Sequence, residues 1–178
     1  MPTLLAGRAS AADPAHELAA WAALRGGAIV LFRHANAPGV GDPPGMRLGD
    51  CSTQRNLDDS GRAQARRIGE RLRREQVAVA AVWSSQWCRV RDTAELAALE
   101  PVREVAAFNS FFGERNAEPA QTAAARALLL GWHERGSLVV FTHQVNISAL
   151  SAEGAMSGEG VVLRRQDGAL KVIGRIWP

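Results

Sequence analysis

Short continuous apolar runs alternate along this chain with longer stretches in which apolar residues recur every three or four positions. Ile29-Val30-Leu31-Phe32, Val79 to Trp83, Leu138 to Phe141 and Val161 to Leu163 are of the first kind. Each is short, rich in β-branched or aromatic residues and followed by a polar residue, which predicts a buried strand. Between them lie helical patterns. Asp13-Pro14 reads as an N-cap with proline at the first helical position, followed by Leu18, Trp21 and Leu24 at helical spacing up to Gly26-Gly27. A second helix is expected from a cap at Asp59 or Ser60 to about Glu75, with Ala65, Ile68 and Leu72 as its apolar stripe. Two more are expected at Cys88 to Leu99 and at Pro119 to Arg135, the latter stopped by Gly136. Asp167-Gly168 between apolar runs is a hairpin signal leading to a last strand through Val172-Ile173. Strands alternating with helices predict an α/β fold with a parallel sheet core, to which the closing hairpin adds an antiparallel edge.

One stretch breaks the rhythm. Residues 35–51 hold glycines 39, 41, 45 and 49 and prolines 38, 43 and 44, and predict a loop that is long for a compact domain.

Composition narrows the class. The 178 residues are 47% hydrophobic and 22% charged, as in one ordinary globular domain spanning residues 1–178. No apolar run is long enough to span a bilayer. Lys171 is the only lysine, so arginine carries nearly all the positive charge. Its planar fork suits phosphate or carboxylate oxygens. The basic residues lack the aromatic interleaving of a nucleic-acid surface, so no nucleic-acid partner is expected. The small residues Ala9-Ser10-Ala11 before Ala12 have the look of a signal-peptide end, so residues 1–12 are read as a signal remnant or a disordered tail. The compartment is left open between the cytoplasm and, with such a signal, the periplasm or exterior. Cys51 and Cys88 do not form a zinc-type spacing.

The chemistry sits where the apolar runs end. The first runs into Arg33-His34, the second into Ser84-Ser85 with Arg89 one turn later, and the third into Thr142-His143. In open α/β sheets, ligands bind beyond the carboxyl ends of the strands. Two histidines, two arginines and several hydroxyls collected there suit phosphoryl transfer. Arginines supply charge-assisted hydrogen bonds to phosphate oxygens, and their charge lowers the pKa of a neighbouring imidazole, which keeps it neutral and nucleophilic.

Four blocks carry a family resemblance. Arg33-His34-Ala35 looks like the Arg-His-Gly signature of the histidine phosphatase superfamily (phosphoglycerate-mutase-like, branch 1). Leu57 to Ala65 resembles its Leu-Thr-x-x-Gly-x-x-Gln-Ala helix start, Ser84 to Ala94 its Ser-Ser-x-x-x-Arg-x-x-x-Thr-Ala block, and Val140 to Gln144 the block of the second histidine. The resemblance implies a three-layer α/β/α sandwich with a mostly parallel mixed sheet, and neither metal nor organic cofactor. It assigns His34 as nucleophile, with Arg33, Arg89 and His143 as a phosphate clamp. Asn36, where Glu or Gln often follows the signature, is expected to donate to a phosphate oxygen.

A second departure concerns the general acid, whose family position falls here on Ser110; Glu114, Asp42 and Asp50 remain alternatives. The substrate expected is a phosphorylated small molecule or a phosphoprotein, and the oligomeric state is undetermined. The first function expected is a phosphatase acting on a phosphomonoester or phosphohistidine. A mutase and a phosphate-binding module that has lost turnover are the alternatives. Arg91 and Arg55 are expected to be solvated surface residues, as are His16 and His133. Trp83 and Trp87 are expected to pack in the core or at its rim. If the blocks holding Cys51 and Cys88 meet, a disulfide would tether the long loop and favour an oxidising compartment.

Overall fold

The computed structural model describes residues 14–178. The cap expected at Asp13 and the reading of residues 1–12 lie outside the described residues. Helix α1 (Pro14–Arg25) leads into strand β1 (Ile29–Arg33); then come α2 (Asp59–Arg74), β2 (Val79–Ser84), α3 (Cys88–Ala97), β3 (Val102–Glu104), α4 (Glu118–Leu130), β4 (Ser137–Thr142), α5 (Gln144–Ser151), β5 (Gly160–Gln166) and β6 (Ala169–Ile176). The six strands form one sheet in the order β3-β2-β4-β1-β5-β6. The first four run parallel; β5 is antiparallel to both β1 and β6.

Alternation along the strands explains the layers. Val30 and Phe32 of β1 face the same apolar cluster as Trp21 and Leu24 of α1, Ile68 and Leu72 of α2, and Val90 and Ala94 of α3. Ile29 and Leu31 face the opposite one, with Ala125 and Leu129 of α4 and Ile147 and Leu150 of α5. Successive side chains of a strand point to opposite faces, so an uninterrupted apolar run needs a helical layer on each side. The result is the α/β/α sandwich that the resemblance implied, around a mixed sheet.

Several boundaries differ from expectation for local reasons. Leu18 is exposed and only Trp21 and Leu24 of its stripe are buried. The α2 cap is Asp58, one residue earlier than expected, whose Oδ1 accepts from the Gly61 amide at 2.7 Å. Helix α3 stops at Ala97 because Ala98 takes a left-handed conformation. Helix α4 ends at Leu130, not Arg135: Trp132 leaves the helix to pack edge-on against Trp83, with ring centroids 5.6 Å apart. Strand β3 and helix α5 are not expected from the pattern. One is a three-residue edge strand and the other an eight-residue helix with little apolar periodicity. The hairpin turns at Asp167-Gly168, both with positive φ.

Two contacts place the segment after β1. A Cβ on Gly61 would run into the Asn36 carbonyl oxygen, so only glycine lets the start of α2 come this close. Gln64 then accepts from the Asn36 amide at 3.0 Å and donates to the Ser157 carbonyl at 2.7 Å. The Gly-x-x-Gln spacing of the sequence is thereby a clamp on the chain leaving His34.

Candidate active site

The carboxyl ends of β1, β2 and β4 open into a cavity of about 1100 Å³ lined by Arg33, His34, Asp42, Arg55, Arg89 and His143 among others. His34 leaves β1 with its amide donating to the Thr142 carbonyl at 3.0 Å, which holds it to the end of the neighbouring strand. Its Nδ1 lies 2.8 Å from the Ala35 carbonyl oxygen. A carbonyl only accepts, so Nδ1 carries the proton and the lone pair is on Nε2. That lone pair accepts from Nε of Arg89 at 3.3 Å. Burial, then the charge of Arg89, pushes the His34 pKa down to about 3, further lowered by Arg33 and Arg55. The imidazole is therefore neutral throughout the ordinary pH range.

Arg89 is 3% exposed, on the first turn of α3. Thr93 fixes that turn, accepting from the Ala35 amide at 3.1 Å while donating to the Arg89 carbonyl at 2.6 Å. His143 caps α5 at the end of β4, its ring centroid 5.7 Å from that of His34 and 5.3 Å from that of Trp87. Its Nε2 is 2.8 Å from Ser85 Oγ, which in turn donates to Asn109 Oδ1 at 3.3 Å. Burial foremost, with its proximity to His34 and the charges of Arg89, Arg55 and Arg33 acting in the same direction, holds its pKa well below the ordinary value. Arg33 donates through Nη1 to the Ala155 carbonyl at 3.0 Å, while its Nε is buried with no partner among the described residues. Burial, then the charge of Arg89, lowers its pKa. An unpaired buried guanidinium N–H is costly, and an anion in the cavity would satisfy it.

Four residues expected at the site, Arg33, His34, Arg89 and His143, are thus brought together. Asn36 is not. Its Nδ2 donates to Asp58 Oδ2 at 2.9 Å and to Ser60 Oγ at 3.2 Å, so it stabilises the start of α2 and faces a separate, shallower recess. The chain turns after Ala35 to meet Gly61, and the side chain follows that turn. Arg55 is the converse correction: expected in solvent, it lines the cavity, where it holds the loop by donating to the carbonyls of Ala37 and, at 2.7 Å, Gly41. Arg91, expected in solvent, is half-buried between Glu95 and Glu104, with Nη2 3.4 Å from Cys51 Sγ. Trp83 is a core residue, whereas Trp87 lines the cavity.

The largest omission from the sequence reading is what the long loop does. Asp42 reaches across to Arg89, with Oδ1 2.7 Å from Nη1 and Oδ2 3.1 Å from Nη2. Trp87 Nε1 donates to the same carboxylate at 3.0 Å and the Arg55 amide at 3.2 Å. Burial raises the Asp42 pKa, but the hydrogen bond and charge of Arg89, with those two N–H groups, outweigh it and hold the carboxyl below its ordinary value. No periodicity marks such a residue; an Asp between Gly41 and Pro43 looks like any turn aspartate. Cys51 and Cys88 are joined as a disulfide, Cα to Cα 5.7 Å, tying the far end of the loop to the residue before Arg89. Among the described residues, no group of three or more His, Cys, Asp or Glu side chains is placed to hold a metal ion.

Ser110 does line the cavity, but its Oγ accepts from the Phe112 amide at 3.2 Å. Asp50 is turned away, paired with Arg47 at 2.6 Å and capping the short helical turn at Cys51–Thr53. Glu114 lies on the cavity wall.

Solved structures with this fold are similar over most of their length. The protein histidine phosphatase SixA in complex with tungstate matches with TM-score 0.61 and 16% identity, over 85% of this chain and 97% of that one. A phosphoglycerate mutase from Thermus thermophilus matches with TM-score 0.60 and 20% identity, over 85% and 99%. A mycobacterial glucosyl-3-phosphoglycerate phosphatase in complex with VO3 matches with TM-score 0.59 and 20% identity, over 84% and 98%. At these identities the likeness establishes the fold. No curated protein sequence matches the chain significantly. The family model described as histidine phosphatase superfamily (branch 1) matches residues 29–135, which run from β1 past the end of α4 and include His34 and Arg89. Well over half of the chain lies in that span, and the chain belongs to the histidine phosphatase superfamily, branch 1.

Proposed function

We propose that this protein hydrolyses a phosphate monoester through a phosphohistidine formed on Nε2 of His34. The observation that carries the reading is the state of that nitrogen. Its proton is fixed on Nδ1 by the Ala35 carbonyl, and its lone pair, which here accepts from Arg89 Nε at 3.3 Å, lies on the wall of a cavity lined by guanidinium groups, where an incoming phosphoryl group would displace that contact. A neutral imidazole held this way is a nucleophile that needs no separate base. Arg33, Arg89 and His143 surround the space where a phosphoryl group would sit, and stabilising its equatorial oxygens is the main work of such a site.

In the first step the Nε2 lone pair forms an N–P bond as the P–O bond to the leaving group breaks. Water then attacks phosphorus, the N–P bond breaks and inorganic phosphate leaves. The wide cavity favours release to water over retention of a phosphorylated intermediate for return, and so hydrolysis over mutase chemistry. Its rim exposes Val40, Leu48 and Phe112, so a leaving group with an apolar surface suits it better than a small, fully polar one. A phosphorylated small molecule or a side chain of a phosphoprotein both meet that description.

The test is phosphate release from p-nitrophenyl phosphate by purified wild-type protein and by His34→Ala. Turnover by the wild type that disappears in the variant supports the proposal; retained turnover in the variant overturns it. Tight vanadate binding with no release from a panel of phosphate esters would instead mark a binding module.

A further inference from the structure

We infer that Asp42, carried by the long loop after β1, is the proton donor to the leaving group, a role that rests on the phosphatase reading above. The position that resemblance gives to an acid holds Ser110, which has no proton to transfer near neutral pH. A leaving group that departs as an alkoxide then needs a donor other than Ser110, and the cavity wall is where it would lie.

Among the described residues, three carboxylates line the cavity: Asp42, Glu114 and Glu118. Glu114 is exposed and Glu118 half-buried, the latter 3.9 Å from Arg115. Of the three, Asp42 alone touches the group that touches the nucleophile. The Arg89 guanidinium presents Nε to His34 Nε2 at 3.3 Å and Nη1 and Nη2 to Asp42 at 2.7 and 3.1 Å. The guanidinium thus has the nucleophile on its Nε edge and the carboxyl on its Nη edge, so a phosphoryl group bound to it would lie beside both.

The same contacts explain how a carboxylate that is ionised in the free enzyme acquires a proton. Four donors among the described residues hold it: the two Arg89 nitrogens, Trp87 Nε1 and the Arg55 amide. A phosphate dianion arriving at Arg89 takes over two of them and places negative charge beside the carboxyl. Both changes favour the protonated form, and the burial that already favours it then acts with less opposition. The substrate thereby loads its own acid. In the first half-reaction the Asp42 proton moves to the leaving oxygen as the P–O bond breaks. In the second, the Asp42 carboxylate takes one proton from the attacking water as the N–P bond breaks, which restores the carboxylic acid and releases phosphate.

The loop is fastened as this role requires. Arg55 donates to the carbonyls of Ala37 and Gly41 on either side of the turn, and the disulfide anchors the loop end beside Arg89. Trp87, which donates to the carboxylate, is itself packed edge-on against His143.

The test compares two esters in wild type and in Asp42→Asn, which is isosteric and keeps an acceptor for Trp87. Nitrophenolate leaves p-nitrophenyl phosphate without a proton; the alkoxide of 2-phenylethyl phosphate, whose apolar ring suits the same rim, does not. Loss of a general acid costs about 10²- to 10⁴-fold. We expect kcat on 2-phenylethyl phosphate to fall by that amount, and the fall on p-nitrophenyl phosphate to be at least about tenfold smaller, with Asp42→Glu recovering part of the lost rate on 2-phenylethyl phosphate. Should Asp42→Asn not fold, Asp42→Ser serves the same comparison. Equal losses on the two esters, or no loss on either, overturn Asp42 as the donor while leaving His34-dependent hydrolysis standing. A wild-type protein that hydrolyses neither ester overturns both.

Discussion

The two sides of the cavity are built by opposite means. His34, Arg89 and His143 sit at strand ends or on a first helical turn, and each is nearly inaccessible, at 3% exposure. Their positions follow from sheet register: Arg33 of β1 pairs with Thr142 of β4, so the residues that follow, His34 and His143, emerge side by side. Residues 35–56 on the other side have one short helical turn and otherwise no regular structure. They are held by side-chain contacts, namely Arg55 on two loop carbonyls, Asp42 on Arg89 and the Cys51–Cys88 disulfide. The wall that carries His34 is fixed by the core, and the wall that carries Asp42 is fixed by polar contacts and one covalent tie. The two walls should therefore fail differently when perturbed.

The largest effect should come from the shared element. Arg89→Ala removes both the contact to His34 and the anchor of Asp42, and loss of one such charge-stabilising donor costs about 10²- to 10³-fold in kcat. Steady-state kinetics with p-nitrophenyl phosphate measure it; a loss below about tenfold contradicts Arg89 as a common support of the two walls. Stability should respond next. The disulfide closes a separation of 37 residues, and removing it should cost about 2–4 kcal/mol. Denaturant unfolding of Cys51→Ser against wild type checks this, and the unreduced wild type should titrate no free thiol.

A smaller effect is expected at the hinge between the walls. Gly61→Ala drives a Cβ into the Asn36 carbonyl, and overpacking of this kind costs about 1–3 kcal/mol. Thermal unfolding measures it, with an unchanged Tm as the contrary result. The pH dependence distinguishes the walls most finely. His34 and His143 have folded pKa values below their unfolded ones, so the unfolded chain binds more protons below about pH 6.5. Their contribution to stability is fully present above that pH and is lost as pH falls towards about 3 for His34. Asp42 is also depressed and adds to the loss in the carboxylate range. His143→Asn should flatten the stability curve between about pH 6.5 and 4, whereas Asp42→Asn should flatten it only at more acid pH. Denaturation midpoints across that range decide; identical slopes in wild type and His143→Asn contradict the buried, neutral state of that histidine.

This contrast also sets what can be read from the sequence. Ile29 to Phe32 and Leu138 to Phe141 announce buried strands, and a strand end in a parallel sheet is a predictable place, so Arg33, His34 and His143 are legible from their neighbours alone. Arg89 is legible from its spacing after Ser84-Ser85. Loop residues have no such address. Asp42 acquires its role from Arg89, Trp87 and Arg55, contacts between segments 13 to 47 residues apart that no local pattern encodes. Arg55 reads as a surface arginine because a guanidinium that satisfies loop carbonyls looks, in sequence, like one in water. Asn36 reads as a phosphate ligand from its position next to the signature. The structure gives it instead to Asp58, because Gly61 brings α2 against the backbone at that point. The shortened α4 also reflects a distant contact: Trp132 leaves the helix and packs edge-on against Trp83.

The proposed mechanism depends on covalent phosphorylation of His34. Rapid acid-free quenching of the enzyme during turnover of p-nitrophenyl phosphate, followed by peptide mass analysis, measures it directly. The expected result is one phosphoryl group, labile in acid and stable in alkali, on the peptide containing His34 and absent from His34→Ala. Turnover with no phosphoenzyme at any time, or a phosphoryl group on another residue, contradicts it.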